Sequence, residues 1–264
     1  MKLTTIIFIL IYFNCFVLAD TYTIKAKAIP ENQLIKVKIF IDDPIIVKEE
    51  TQIKSIKPKY IKRVLAQSNE KIIYNIFTSP YLSPNSVFSF NLKNKQDNAS
   101  IKLIAIDNDE KITQVKLDIN NISNKSIYTE VSTLIENLKI SEDISINENI
   151  WEIKTIDEAI KELYGNLNFS PSNGLHVKTP LLSENHFSIP IFIRSDLNLE
   201  SIAILQDSNT YSTVAIITVP SNAIISYRIR FKMKPGFAQN IVIVAKGKNG
   251  KIYKVQKTID VVGS

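Results

Sequence analysis

From Tyr22 onward apolar and polar residues alternate one by one: Ile35, Val37, Ile39 and Ile41 fall on one face, Lys36 and Lys38 on the other. A period of two belongs to the β-strand, whose successive side chains point to opposite faces of a sheet. The same beat returns at Ile72, Tyr74 and Ile76, after an Asn69-Glu70 turn, and at Phe88, Phe90 and Leu92. Two further runs, Ile101–Ile106 and Ile112–Ile119, flank a turn at Asp107–Glu110. Six or seven short strands in about a hundred residues predict a β-sandwich.

The second half repeats the layout. Phe187, Ile189, Ile191 and Ile193 alternate, as do Ile225, Tyr227, Ile229 and Phe231. Its closing hairpin turns at Gly247-Lys248-Asn249-Gly250 and aligns without gaps to the hairpin of the first half at an offset of 140 residues. Ile101 matches Ile241, Ala105 matches Ala245, Ile112 matches Ile252 and Ile119 matches Ile259. A register kept over both strands and the turn implies two copies of one sandwich type. The predicted fold class is therefore all-β, two immunoglobulin-like β-sandwich domains joined by a partly helical linker.

That linker is set by a change of period. Ile127, Val131, Leu134, Ile135 and Leu138 keep helical spacing, followed by an Asn-rich, acidic stretch to about Asn149. Thr155 with Glu158 forms a capping box, and Ile156, Ala159, Ile160 and Leu163 make one helical face before Gly165. The expected division is a leader over 1–19, a first sandwich over 20–119, a linker over 120–150, and a second sandwich with its leading helix over 151–264.

The leader follows from Lys2 as a positive start and the apolar stretch Ile6–Leu18, too short for a comfortable membrane span. Val17-Leu18-Ala19 supplies compact residues for cleavage between Ala19 and Asp20. Export to the periplasm is the expectation. The only cysteine, Cys15, lies inside this leader, and Asn14 before it is a poor match for lipoprotein processing. A processed chain ending at Ser264 then has no thiol for disulfides, catalysis or metal ligation. Formal net charge is +6, or +5 without Lys2, but the basic residues alternate singly with apolar ones. That is the wet face of strands rather than a nucleic-acid patch.

Candidate chemistry is sparse. His176 and His186 are the only histidines, ten residues apart, with no third ligand at a recognisable spacing, so a metal site would need carboxylate help such as Glu184. Asp42-Asp43-Pro44 and Asp107–Glu110 are acidic pairs explained by turn chemistry. Six glycines in the chain build no phosphate loop, and no nucleophile elbow occurs. Sequons at Asn98, Asn121, Asn124 and Asn168 are what an Asn-rich chain produces by chance. Trp151 reads as a core or inter-domain plug, and Tyr60-Ile61 after Pro58 as a strand start. No catalytic, cofactor-binding or metal residue is predicted, and the chain reads as a binding module and not an enzyme.

From Tyr22 to Ile119 the sequence resembles SoxZ, a subunit of the thiosulfate-oxidising carrier complex. The matching pieces include Ile24–Ala28, Ile35–Lys38 running to Asp43-Pro44, Ile56–Ile61, Asn69–Lys71, and Ser83-Pro84-Asn85 ahead of Phe88-Ser89-Phe90. From Thr155 to Val262 it is similar to SoxY, the partner subunit. Here the helix Ile156–Gly165 precedes Thr179-Pro180, Glu184-Asn185, Ile189–Ile191, Tyr227–Arg230 and Lys248–Lys251. Ile45–Lys48 departs from the Met-Glu-Thr-Gly-like run of the family.

The resemblance implies two immunoglobulin-like domains associated face to face in the periplasm, paired within this one chain. It implies partners among periplasmic redox or sulfur-oxidation enzymes, no nucleic acid, no membrane span and no cofactor. In SoxY a cysteine on a mobile Gly-rich tail holds the sulfur cargo covalently. Gly263 and Ser264 stand at the root of that arm, and a serine hydroxyl forms no persulfide. The expected role is thus a non-covalent carrier or scaffold. The alternatives are a carrier that has lost its arm, and an immunoglobulin-like ligand-binding or adhesion module unrelated to sulfur metabolism.

Overall fold

The computed structural model describes residues 22–42, 59–93, 100–119, 127–129, 133–135, 146–221 and 223–262. The leader, Ile45–Lys48 and the sequons at Asn98, Asn121 and Asn124 lie outside them. The first half contributes β1 (Thr23–Glu31), β2 (Leu34–Asp42), β3 (Ile61–Ser68), β4 (Lys71–Thr78), β5 (Ser86–Lys93), β6 (Ser100–Asp107), β7 (Ile112–Asp118), β8 (Ile127–Thr129) and β9 (Thr133–Ile135). A 3₁₀ turn (Glu148–Glu152) and the helix α1 (Ile156–Tyr164) lead into the second half. That half contributes β10 (Leu175–Lys178), β11 (Leu182–Ser183), β12 (Ile189–Ser195), β13 (Leu199–Gln206), β14 (Thr213–Thr218), β15 (Ile224–Phe231), β16 (Gly236–Gly247) and β17 (Ile252–Val261).

The alternation produces strands with one wet and one dry face. On β2, Ile35, Val37, Ile39 and Ile41 are buried while Lys36 and Lys38 are not, and on β15 Ile225, Tyr227, Ile229 and Phe231 turn inward. These rows form one apolar core between two sheets. Phe187, read as the first inward residue of its row, is exposed, and the strand begins at Ile189. Asn69 and Glu70 both take left-handed backbone, φ 48° and 63°, as a tight two-residue hairpin turn requires.

The sheets run through both halves. One has the order β10-β12-β15-β5-β2-β1-β8, the other β11-β17-β16-β13-β14-β4-β3-β6-β7-β9. The halves therefore meet edge to edge, β14 on β4 and β15 on β5, and not face to face as the resemblance implies. The physical reason is supply and demand: the inner faces are already covered by the opposing sheet, whereas an open edge presents unpaired N–H and C=O groups. At β14–β4 the register is regular, from Ala215 opposite Thr78 to Thr218 opposite Asn75. Side chains reinforce it: Arg63 Nε donates to Asn75 Oδ1 (2.9 Å), and Asn75 Nδ2 donates to Thr218 Oγ1 (2.8 Å). Inside the core Tyr74 stacks on Phe90 with centroids 4.8 Å apart and meets the edge of Tyr227, from the other half, at 5.6 Å.

Within the linker, Ile127–Thr129 and Thr133–Ile135 are strands, not helix. They pair with β1 and β7, the outermost long strands of the two sheets, so the demand of an open edge overrides a weak local periodicity. The second helix forms as its box predicts. Glu158 N–H donates to Thr155 Oγ1 (3.3 Å), and the Thr155 hydroxyl donates to Glu158 Oε2 (2.7 Å), so the glutamate reaches the hydroxyl instead of the cap's own N–H. Ala159 and Ile160 bury against Leu205, Val242 and Val244 on the outer face of the longer sheet, and Trp151 packs at the margin of this second cluster.

Candidate functional site

The last strand and its neighbours carry the most unusual surface. Gly250, with φ 77°, closes the turn that sends β17 back along β16. Near its end β17 gains β11 as a parallel neighbour, with Ser183 opposite Val261. Asp260 N–H donates to Leu181 O (2.9 Å) and Val262 N–H to Ser183 O (2.9 Å), so the strand is held to its last described residue. On the other side Gly236 lies opposite Val261, with a register shift before Gln239. Ala238 takes φ 51° there and its N–H donates to Asp260 Oδ1 (2.8 Å). This bulge turns Phe237 outward, 81% exposed.

Leu181 is 82% exposed, and Leu182, Phe187 and Val262 join it on the surface. Phe187 lies against the His186 ring at 3.8 Å, and His186 O accepts from Met233 N–H (3.0 Å). Five exposed large apolar side chains, on strand ends and the segments beside them, are what a folded chain avoids unless something covers them. The sequence reading missed this collar. Its signal was apolar residues outside the alternation, beside Pro180 and after Pro235-Gly236.

Of the predicted site residues, Ala19 and Asp20 at the cleavage point and Gly263 and Ser264 at the arm root lie outside the described residues. The histidines occupy different settings: His176 sits on β10 opposite Arg194, while His186 is in the turn before β12. Among the described residues no three His, Cys, Asp or Glu side chains gather as metal ligands. The Asp107 turn behaves as turn chemistry predicts. Its carboxylate accepts from Asp109 N–H (2.9 Å) and Lys111 N–H (2.8 Å) and stands 3.6 Å from Lys59 Nζ. Tyr60 N–H donates to Asn108 Oδ1 (3.0 Å), and burial, with Glu148 nearby, pushes its phenol up from the ordinary value. No described helix is long and apolar enough to cross a membrane.

Two family models match the chain, one in each half. The family model described as sulphur oxidation protein SoxZ matches residues 24–118, and that described as sulfur oxidation protein SoxY matches 160–264. Among solved structures, the sulfur carrier protein SoxY from Chlorobium limicola f thiosulfatophilum is similar at 24% identity, over 40% of this chain and 96% of that chain, with a TM-score of 0.36. No curated protein matches the chain.

Proposed function

Starting from a chain that joins a SoxZ-family domain to a SoxY-family domain, in that order, we propose that it is a periplasmic carrier or scaffold of sulfur-compound oxidation. It handles thiosulfate-derived intermediates without covalent attachment and works with partner enzymes, catalysing no reaction itself. The observation that carries this reading is the presence of both families in one polypeptide, with their strands shared between two sheets. Two subunits' worth of structure are tied together, which keeps one half at millimolar effective concentration for the other if the linker spans the gap. The apolar stretch Ile6–Leu18 after Lys2 supports export. Residues 20–264 contain no cysteine, and the non-covalent mode is proposed for these residues. The collar of Leu181, Leu182, Phe187, Phe237 and Val262 is the surface on which an enzyme would dock.

The test uses the purified chain with thiosulfate-oxidising enzymes of a sulfur-oxidising bacterium. Saturable binding by calorimetry is expected, with at least tenfold loss in a Leu181→Asp, Phe237→Asp double variant whose circular dichroism is unchanged. Intact mass after turnover should show no added sulfur. Absence of binding overturns the partner reading, and a stable sulfur adduct on residues 20–264 overturns the non-covalent mode.

A further inference from the structure

The outer face of the shorter sheet is cationic where the two halves meet. One transverse row runs Phe192, Arg228, Ser89, Lys38, Lys27 across β12, β15, β5, β2 and β1. Arg230 flanks Arg228 two residues on, and Lys36 flanks Lys38. Among the described residues, three carboxylates on strands of this sheet or beside them are already engaged: Glu31 with Lys36 (3.0 Å), Asp42 with Lys25 (3.1 Å) and Asp196 with Arg194 (3.9 Å). Among the described residues Lys38, Arg228 and Arg230 have no carboxylate partner. Arg228 Nε is shielded from solvent and has no hydrogen-bond acceptor. Leaving a shielded guanidinium N–H unpaired is costly, and an anion is what would relieve it.

The backbone leaves room for one. Between Ile224–Asn91 and Arg228–Ser89, β15 advances four residues while β5 advances two, so the seam is not fully zipped. A cleft of about 440 Å³ opens there, lined by Lys36, Lys38, Ser89, Arg228 and Arg230 among others. Arg228 and Lys38 stand two strands apart, roughly 10 Å at strand spacings of about 4.8 Å, with only the short Ser89 side chain between them. The Arg228 guanidinium is held 4.6 Å from the Phe192 ring centroid, which limits its freedom. Burial, and then the neighbouring Arg230, bring its pKa down from the ordinary value, the direction expected of a cation lacking its counter-ion.

We propose that this seam cleft binds a small divalent tetrahedral oxyanion, held between Arg228 of the second half and Lys38 of the first above Ser89. A guanidinium offers paired N–H donors to two oxygens of such an ion, and the lysine meets a third. Because the ligand touches one residue from each half, binding also strengthens their junction. The site stands on the cleft and its charges and does not depend on the carrier reading.

Calorimetry with sodium sulfate, thiosulfate and phosphate, against sodium chloride at matched ionic strength, tests it. At least one of the three is expected to bind saturably with one ion per chain, and their ranking identifies the source of the oxyanion. Arg228→Gln and, separately, Lys38→Gln should each weaken binding about tenfold or more. Lys102→Gln, on an exposed position of the other sheet, should leave it unchanged. Sulfate also stabilises proteins generally by exclusion from their surfaces. A non-saturable response, or one equal in all three variants, would therefore overturn the site.

Discussion

Asn75, fully buried on β4, is the polar residue on which the junction of the two halves most depends. It accepts from Arg63 and donates to Thr218 across the seam, so Asn75→Ala removes both partners at once. A loss of about 2–3 kcal/mol is expected by chemical denaturation, the scale of stripping a partner from a charged buried group. Tyr227 gives the opposite result. Its hydroxyl is buried without a hydrogen-bond partner, so Tyr227→Phe should leave stability unchanged or raise it by about 1 kcal/mol while the packing on Tyr74 remains. Buried phenols also set the alkaline limit. Burial pushes Tyr164 up to about 12, although the Ser201 hydroxyl donates to its oxygen (3.5 Å) and favours ionisation. An unfolded tyrosine ionises near 10, so between about pH 10 and 12 the unfolded chain holds fewer protons than the folded one and stability falls as pH rises. Below pH 10 that contribution is fully present. Alkaline unfolding followed by circular dichroism should begin in this window, and no loss of stability between pH 10 and 12 would contradict it.

α1 illustrates how little of an element's stability is local. Nine residues form too short a helix to persist alone, so its two caps and its buried stripe must act together. Thr155 satisfies the first turn, and Gly165 in the left-handed region, φ 78°, ends the helix with its N–H on Lys161 O (2.8 Å). Thr155→Ala is expected to cost about 1 kcal/mol. Gly165→Ala should cost a similar amount by forcing a side chain into φ > 0 although nothing crowds the position. Thermal shift assays on both variants check the ranking: a Thr155→Ala protein as stable as the parent would mean the cap bond contributes nothing.

At the scale of the molecule the shared sheets predict that the halves unfold together. β14–β4 and β15–β5 place backbone pairing on the boundary, and the apolar core has members from both halves without a break. Trp151 is the chain's only tryptophan and packs in the second half, so its fluorescence reports that half alone. Far-ultraviolet circular dichroism reports strands of both. In urea the two signals should trace one coincident transition. Two separated transitions would show that the seam is too weak to couple the halves. A protein of residues 20–119 alone should aggregate, because it opens the edges of β4 and β5 to any other strand.

Local periodicity and capping rules govern the features that were legible in the chain before its fold was known. The inward rows on β2, β5, β12 and β15, the Asn69-Glu70 turn and the box at Thr155 are short-range steric and hydrogen-bonding rules, readable from neighbours alone. The likeness of its two hairpins at a fixed offset is readable for the same reason. Tertiary structure decided what those rules leave open. Whether Ile127 and Thr133 start helices or strands depended on the edges of β1 and β7, which no nearby residue encodes. That Lys38 and Arg228 share one row, about 190 residues apart in sequence, follows only once β15 takes β5 as its neighbour. Alternation says which way each lysine points. It cannot say which strand from the other half will lie beside it, because pairing across the halves is settled by which edges are left unsatisfied, and no neighbour in sequence encodes that.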